Sequence, residues 1–250
     1  MSDPPPSDLK ARMAASYDAI AQTYYKQFVA EDGTKDFRLG NLARVLSLLQ
    51  EAAAENNELV SPPAQVLELG CGAGVPVTKV LLEHKNPELN VTANDLSPAQ
   101  IDLARKYLAP YLSGDAKESS TTTAAGSTER LTLIPGDMTA LTFPPSTFSA
   151  VLGFYSIIHL PRDEQTALKQ KIATWLKPGG LFLANFATAE AASVVDEKWL
   201  GEEEGWVYWS SWGEEGSVKM VEECGLEVLG REITDDVADA RFVWIVARKK

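Results

Sequence analysis

Gln65-Val-Leu-Glu-Leu-Gly-Cys-Gly-Ala-Gly-Val-Pro76 passes straight from an apolar run into closely spaced glycines, an order that reads as strand, tight turn, helix. Val66, Leu67 and Leu69 make a short buried strand. Gly70, Gly72 and Gly74 let the backbone turn and approach a ligand where a Cβ would intrude. Pro76 suits the first turn of a helix, because its missing N–H has no partner there anyway. The free N–H groups at such a helix start form a weakly positive cradle for a carboxylate or a ribose–phosphate group. The spacing is not the Gly-x-Gly-x-x-Gly of dinucleotide sites, since positions 75 and 76 are Val and Pro. Taken alone, the turn also fits plain packing of helix on sheet.

After this turn the alternation continues. A helix runs to about His84, and Asn90-Val-Thr-Ala-Asn94 is a second strand, stopped by Asp95-Leu-Ser-Pro98. Ser97 caps the helix that Pro98 starts, which extends over about 98–108. Further strands are expected at 131–134, 148–154 and 181–187, with a helix over 162–176 and a Lys177-Pro-Gly-Gly180 turn. A helix over 218–223 and strands at 226–233 and 242–247 close the chain, joined by the hairpin-like connection Ile233-Thr-Asp-Asp-Val-Ala-Asp-Ala240. These pieces predict a Rossmann-like, doubly wound α/β fold: a mostly parallel seven-stranded sheet with helices on both faces and an antiparallel last strand.

Upstream of the turn, apolar residues recur at spacings of three and four over 9–28 and again over 37–54, predicting two helices as an N-terminal cap over 9–60. A polar turn at Asp32-Gly33-Thr34 separates them, and Asn56, Asn57 and Ser61-Pro62-Pro63 end the second. Tyr17 and Tyr24 share a face of the first helix; core packing is the reading the sequence favours, a lid over a ligand the other. Residues 1–8 read as a disordered lead-in, 113–129 as a flexible low-complexity insertion, and 9–250 as a single domain. Residues 188–213 break the alternation and hold four of the six tryptophans, so they read as a lid or pocket wall.

The chain has 250 residues, 45% apolar and 23% charged, as in an ordinary globular protein. A formal charge of −12 works against phosphate backbones and anionic membranes as partners. Two cysteines and two histidines argue against a disulfide framework and against a zinc cage, and no metal is expected. His84 reads as a polar residue at a helix end. With no signal-like or membrane-spanning segment, a cytoplasmic protein is the expectation.

In an open parallel sheet, ligands sit beyond the carboxyl ends of the strands. Glu68 with the glycine turn, Asp95, Asp137 and the segment 154–159 all lie there. Asp95 follows the turn by about twenty residues, where an acidic side chain reaches both hydroxyls of a ribose. Each acid alone reads as a helix cap or solvated surface rather than a ligand group; three ending successive strands shift the balance toward a site.

At this point the sequence resembles the class I S-adenosylmethionine-dependent methyltransferases. The matching segments are Val66-Leu-Glu-Leu-Gly-Cys-Gly-Ala-Gly74, Val91-Thr-Ala-Asn-Asp-Leu-Ser-Pro98, Gly136-Asp-Met138 and Leu176-Lys-Pro-Gly-Gly-Leu-Phe-Leu183, in the family's order, over roughly residues 15–187. The insertion and the Trp-rich segment most resemble uncharacterised small-molecule methyltransferases of filamentous fungi. The resemblance implies S-adenosylmethionine as cofactor and S-adenosylhomocysteine as product. It implies that Glu68 and the turn Gly70, Cys71, Gly72 and Gly74 hold the methionine end, and that Asp95 takes the ribose, with Leu96 against the adenine. Asp137 and Met138 would read the adenine edge, and Phe154 and Tyr155 would line the methionine side. Tyr17 or Tyr24 would close over the cofactor, with Lys35 or Arg38 at its carboxylate.

Methyl transfer asks the protein to exclude water, align the acceptor and take a proton from a neutral one. His159 is the histidine placed for that proton, as base and substrate contact, and its ordinary pKa suits the task; a plain hydrogen bond to its loop explains it as well. Trp206, Tyr208, Trp209 and Trp212 fit the wall of an apolar or aromatic acceptor site, or a cover for the sheet edge. The expected function is methylation of O, N or S of a small, apolar or aromatic metabolite, with no nucleic-acid or membrane partner and the oligomeric state open. The alternatives are a non-catalytic cofactor-binding subunit and another S-adenosylmethionine-using enzyme on this fold, such as an aminopropyl transferase or a cyclase.

Overall fold

A computed structural model of the chain describes residues 4–28, 37–55, 58–60, 63–112, 130–236 and 240–250. The expected turn at 32–34, Lys35, Asn56, Asn57 and the insertion 113–129 lie outside the described residues. Two helices open the chain, α1 (Leu9–Phe28) and α2 (Phe37–Ala54). The alternation then runs β1 (Ala64–Leu69), α3 (Val77–Glu83), β2 (Leu89–Asp95), α4 (Pro98–Tyr107), β3 (Leu131–Pro135), β4 (Phe148–Gly153), α5 (Arg162–Trp175) and β5 (Leu176–Ala187). Two short strands, β6 (Glu190–Asp196) and β7 (Val207–Trp212), precede α6 (Gly213–Glu223), β8 (Leu226–Asp235) and β9 (Arg241–Lys249).

Seven strands form one sheet in the order β3-β2-β1-β4-β5-β9-β8. β1 pairs in parallel with both β2 and β4, whereas β9 runs antiparallel between β5 and β8. The strand order reverses between β1 and β4, and this switch point opens a crevice at their carboxyl ends. β1 shows why the sheet sits where it does. Val66 joins the core on the face covered by α2, α3 and α4, while Leu67 and Leu69 join the core beneath α5 and α6. Successive side chains of a strand point to opposite faces, so one apolar run serves both layers.

Three local expectations change. Lys177-Pro-Gly-Gly180 is an irregularity inside β5 and not a turn before it: Phe148 pairs with Leu176 and Ala150 with Leu181, so the glycines bulge out between two paired stretches. The helix expected from Val218 begins already at Gly213. The segment 188–213 is a two-stranded antiparallel sheet of β6 and β7, set apart from the main one. It backs α1 through a cluster of Leu9, Met13, Trp206, Val207 and Tyr208.

Candidate active site

β1 ends in the glycine turn, which is pinned to the neighbouring strand where Gly70 N and Cys71 N both donate to Asn94 O, at 2.8 and 2.9 Å. A Cβ on Gly70 would lie 2.3 Å from Ser156 Cβ, so the turn packs directly against the loop after β4. Ser156 in turn donates to Leu69 O at 2.7 Å. Asp95, at the end of β2, accepts from Gly72 N at 2.8 Å and from Ser97 N at 2.9 Å. Burial pushes its pKa up to about 6, against the pull of those N–H groups.

Above these strand ends lies a cleft of about 720 Å³, lined by Gly70, Gly72, Asp95, Leu96, Asp137, Met138, Phe154, Tyr155 and His159. A second hollow of about 460 Å³, with Glu68, Cys71 and Arg38 in its wall, shares Tyr24, Gly70, Gly72, Phe154 and Tyr155 with the first. The two are ends of one crevice. Glu68 is 3% exposed and accepts from Thr78 Oγ1 at 2.6 Å. Burial lifts its pKa to about 8, so it holds a proton at neutral pH unless a cation comes to it. The Cys71 thiol is buried and stays protonated, its pKa raised well above the ordinary value by burial. Tyr155 takes a positive φ of 52°, with its N–H on Asn185 Oδ1 at 2.7 Å and its hydroxyl on Asp236.

Helix α1 crosses the cleft and brings residues that periodicity alone did not single out. Lys10 Nζ sits 2.6 Å from Asp137 Oδ2 and 2.7 Å from Glu164 Oε2. Partial burial works upward on Asp137, yet Lys10 and Thr139 outweigh it and hold the carboxyl below its ordinary range. Asp18 accepts from Ser97 Oγ at 2.5 Å and Ala99 N at 3.0 Å, locking α1 onto the start of α4. Tyr17 and Tyr24, seven residues apart, pack edge to face at 5.6 Å, and both line the cleft.

His159 differs from the expectation of a group titrating near neutrality. Burial pushes its pKa down to about 4, opposed by the carbonyl of Tyr208. That carbonyl lies 2.7 Å from Nδ1 and can only accept, so Nδ1 carries the proton. Nε2 is then an acceptor, and the Tyr17 hydroxyl 3.0 Å away donates to it.

The aromatic residues expected to wall the acceptor site stand one layer back. Trp209 stacks on His159 with ring centroids 6.1 Å apart, and Tyr208 is fully buried with its hydroxyl on Ala192 O. Trp206 lies under the Arg12 guanidinium at 4.0 Å, and Trp212 under that of Arg162 at 4.7 Å. None of the four lines the cleft; Trp206, Tyr208 and Trp209 pack with α1 residues Leu9 and Met13, and Trp212 packs on the core beneath α5 and α6. Among the described residues, no three His, Cys, Asp or Glu side chains are grouped to hold a metal ion, and no helix is long and apolar enough to cross a membrane.

A seven-stranded sheet of this order, with a glycine turn and an acidic side chain at its switch point, is an α/β architecture that places a ligand site beyond the carboxyl ends of its strands. Residues 66–180 match the family described as a methyltransferase domain. Sterol 24-C-methyltransferase ERG6B of Gibberella zeae is 28% identical over 123 residues, 49% of this chain and 27% of that one. The tRNA N(3)-methylcytidine methyltransferase trm140 of Schizosaccharomyces pombe is 28% identical over 173 residues, 67% of this chain and 50% of that one. The chain thus spans about a quarter to a half of the length of these relatives. The solved structure of magnesium protoporphyrin IX methyltransferase from Synechocystis, with bound SAM, superposes with a TM-score of 0.62 at 16% identity, covering 99% of this chain and all of that one. Residues 66–180 thus resemble a methyltransferase domain, and the chain shares its fold with methyltransferases of solved structure.

Proposed function

We propose that this chain methylates an O, N or S atom of a small, apolar or aromatic metabolite, with S-adenosylmethionine as the methyl donor. The observation that carries the proposal is the single crevice at the switch point, with a cation-ready carboxyl, Glu68, at one end and the Tyr17–His159 pair at the other. The residues present fit the cofactor. Glu68 and the glycine turn would hold its methionine part, Asp95 its ribose, and Leu96, Asp137 and Met138 its adenine. When bound, the cofactor supplies a methyl group on a positively charged sulfur.

Beside the Tyr17–His159 pair the cleft is lined by Leu9, Met13 and Leu160, which favours an apolar acceptor. Because Tyr17 donates its proton to His159 Nε2, its oxygen can only accept from the cleft. A hydroxyl, amine or thiol of the acceptor would therefore donate to Tyr17, and its proton can pass through Tyr17 to Nε2 of His159. A nearly dry base of low pKa suits a hydroxyl acceptor, whose methylated, still protonated form is a far stronger acid. The acidic balance of −12 supports a small molecule over a nucleic acid.

Calorimetric titration with S-adenosylhomocysteine tests the proposal. We expect binding by the wild-type chain and at least about tenfold weaker binding by Asp95→Ala, the size of effect that loss of a charged hydrogen-bond acceptor gives. Binding by the wild type would then justify screening metabolite fractions with a labelled methyl donor. A folded wild-type protein that binds neither the donor nor S-adenosylhomocysteine would overturn it.

A further inference from the structure

Strand β7 stands apart from the main sheet, yet its carbonyls are engaged by side chains from the loop after β4 and the start of α5. His159 Nδ1 donates to Tyr208 O at 2.7 Å, and Arg162 donates to Ser211 O through Nε and Nη2 at 2.9 and 2.7 Å. Between them Gln165, fully buried in the first turn of α5, donates from Nε2 to Ser210 O at 2.9 Å, to Ser210 Oγ at 3.0 Å and to Leu160 O at 3.0 Å. Ser210 Oγ donates in turn to Leu160 O at 2.6 Å.

The carboxamide is used on one side only. Its Oε1 has no hydrogen-bond partner among the described residues, although an unpartnered buried acceptor forfeits the hydrogen bonds it made in water. A side chain kept for packing alone would be apolar; what this position retains is the donor.

Placement shows what the donor does. Leu160 follows His159 in the chain, and Ser210 stands two residues after Tyr208 on β7. One carboxamide therefore joins the segment that carries the imidazole to the strand that carries its carbonyl partner. Trp209, between Tyr208 and Ser210, stacks on the imidazole with ring centroids 6.1 Å apart. A neutral imidazole bears its proton on the nitrogen that has the better acceptor. If β7 drifted from the loop, Tyr208 O would leave Nδ1 and nothing would select the tautomer.

The geometry points to Gln165 as the positioning residue of His159: by clamping Leu160 to Ser210 it keeps the Tyr208 carbonyl on Nδ1 and leaves Nε2 without a proton, facing Tyr17. Gln165 lies behind the crevice and is not part of its wall. The inference rests on the reading of the Tyr17–His159 pair above. It also gives the two-stranded sheet a task, as the backing against which the base is set.

The test follows the imidazole nitrogens of the full chain by 15N-resolved NMR at pH 7, where their shifts report the tautomer population. The chain has two histidines, so His84→Gln identifies the signals of His159. Wild type is expected to favour the proton on Nδ1 by at least about tenfold. Gln165→Met keeps the length of the side chain and removes the donor; it should lose about tenfold of that preference, the worth of one hydrogen bond. Its affinity for S-adenosylhomocysteine should stay within about twofold of wild type, because only the base is disturbed. A tautomer preference within about twofold of wild type, or a parallel loss of S-adenosylhomocysteine binding, overturns this inference alone. If Gln165→Met does not fold, Ser210→Ala removes one link and keeps the carboxamide: about a threefold loss of preference is expected, and no change overturns the inference. A wild-type chain with the proton on Nε2 overturns the proton path through Tyr17, and this inference with it.

Discussion

Gly70 and Gly72 both take positive φ, +73° and +55°, but their surroundings differ. A Cβ on Gly70 would meet Ser156 Cβ at 2.3 Å, an atom fixed to the backbone, whereas the nearest atom to one on Gly72 is Gln100 Oε1 at 3.8 Å. Gly70→Ala should therefore cost more than about 2 kcal/mol, combining backbone strain with overpacking, while Gly72→Ala should cost about 1 kcal/mol of strain. Urea unfolding of both variants checks the difference; equal losses would mean that the Ser156 contact can relax. The spacing of the glycines was visible in the chain, but not their division of labour. Which glycine is crowded depends on Ser156, which the fold brings from far along the sequence.

Helices α5 and α6 meet beneath the sheet around a charge that no pattern announced. Lys169 is fully buried, with Nζ 3.3 Å from Gln165 O, 3.0 Å from Met220 Sδ and 4.6 Å from the Phe186 ring. Burial lowers its pKa from 10.5 to about 7. A depressed lysine binds its proton less well folded than unfolded, so its penalty is full below about pH 7 and fades as pH rises toward 10.5. Lys169→Met should accordingly raise stability at pH 7 by about 2–4 kcal/mol and change it little near pH 11. Chemical denaturation at the two pH values measures this. No gain at pH 7 would show that the lysine is stabilised as a cation in place. Helical spacing marks Leu168 and Ile172 as core; Lys169 beside them reads as solvated until α6 covers it.

Across the whole molecule, the charge of −12 sets what can approach the cleft. A relative that acts on tRNA matches 173 residues of this chain, so the fold itself does not decide against nucleic acid. Among the described residues, the cations in the cleft wall are already engaged, Lys10 with Asp137 and Glu164, and Arg38 with the Phe28 carbonyl. Phosphate binding needs cations with no such engagement. Total tRNA should therefore show no retardation on a native gel at micromolar protein and about 0.15 M salt. A salt-sensitive shift would move the acceptor from a small molecule to an RNA.

The sequence by itself determined the alternation of strands and helices, the glycine turn, the Ser97 cap and the acidic residue that ends each of three strands. All of these depend on a few neighbouring residues, on φ, on apolar period and on a side chain reaching its own backbone. It also carried the resemblance to a methyltransferase domain over residues 66–180, because those signals follow one another in a set order. Only the tertiary structure decided which groups share the crevice. It set Lys10 on Asp137, Tyr17 on His159 and Gln100 beside Gly72, and it moved the tryptophans from the wall of the site to a supporting layer. It also took from His159 the neutral-range pKa that the residue type suggests. The reason is that desolvation and contact are sums over the whole chain: a residue's neighbours in space, and the water they exclude, are not written in its neighbours in sequence.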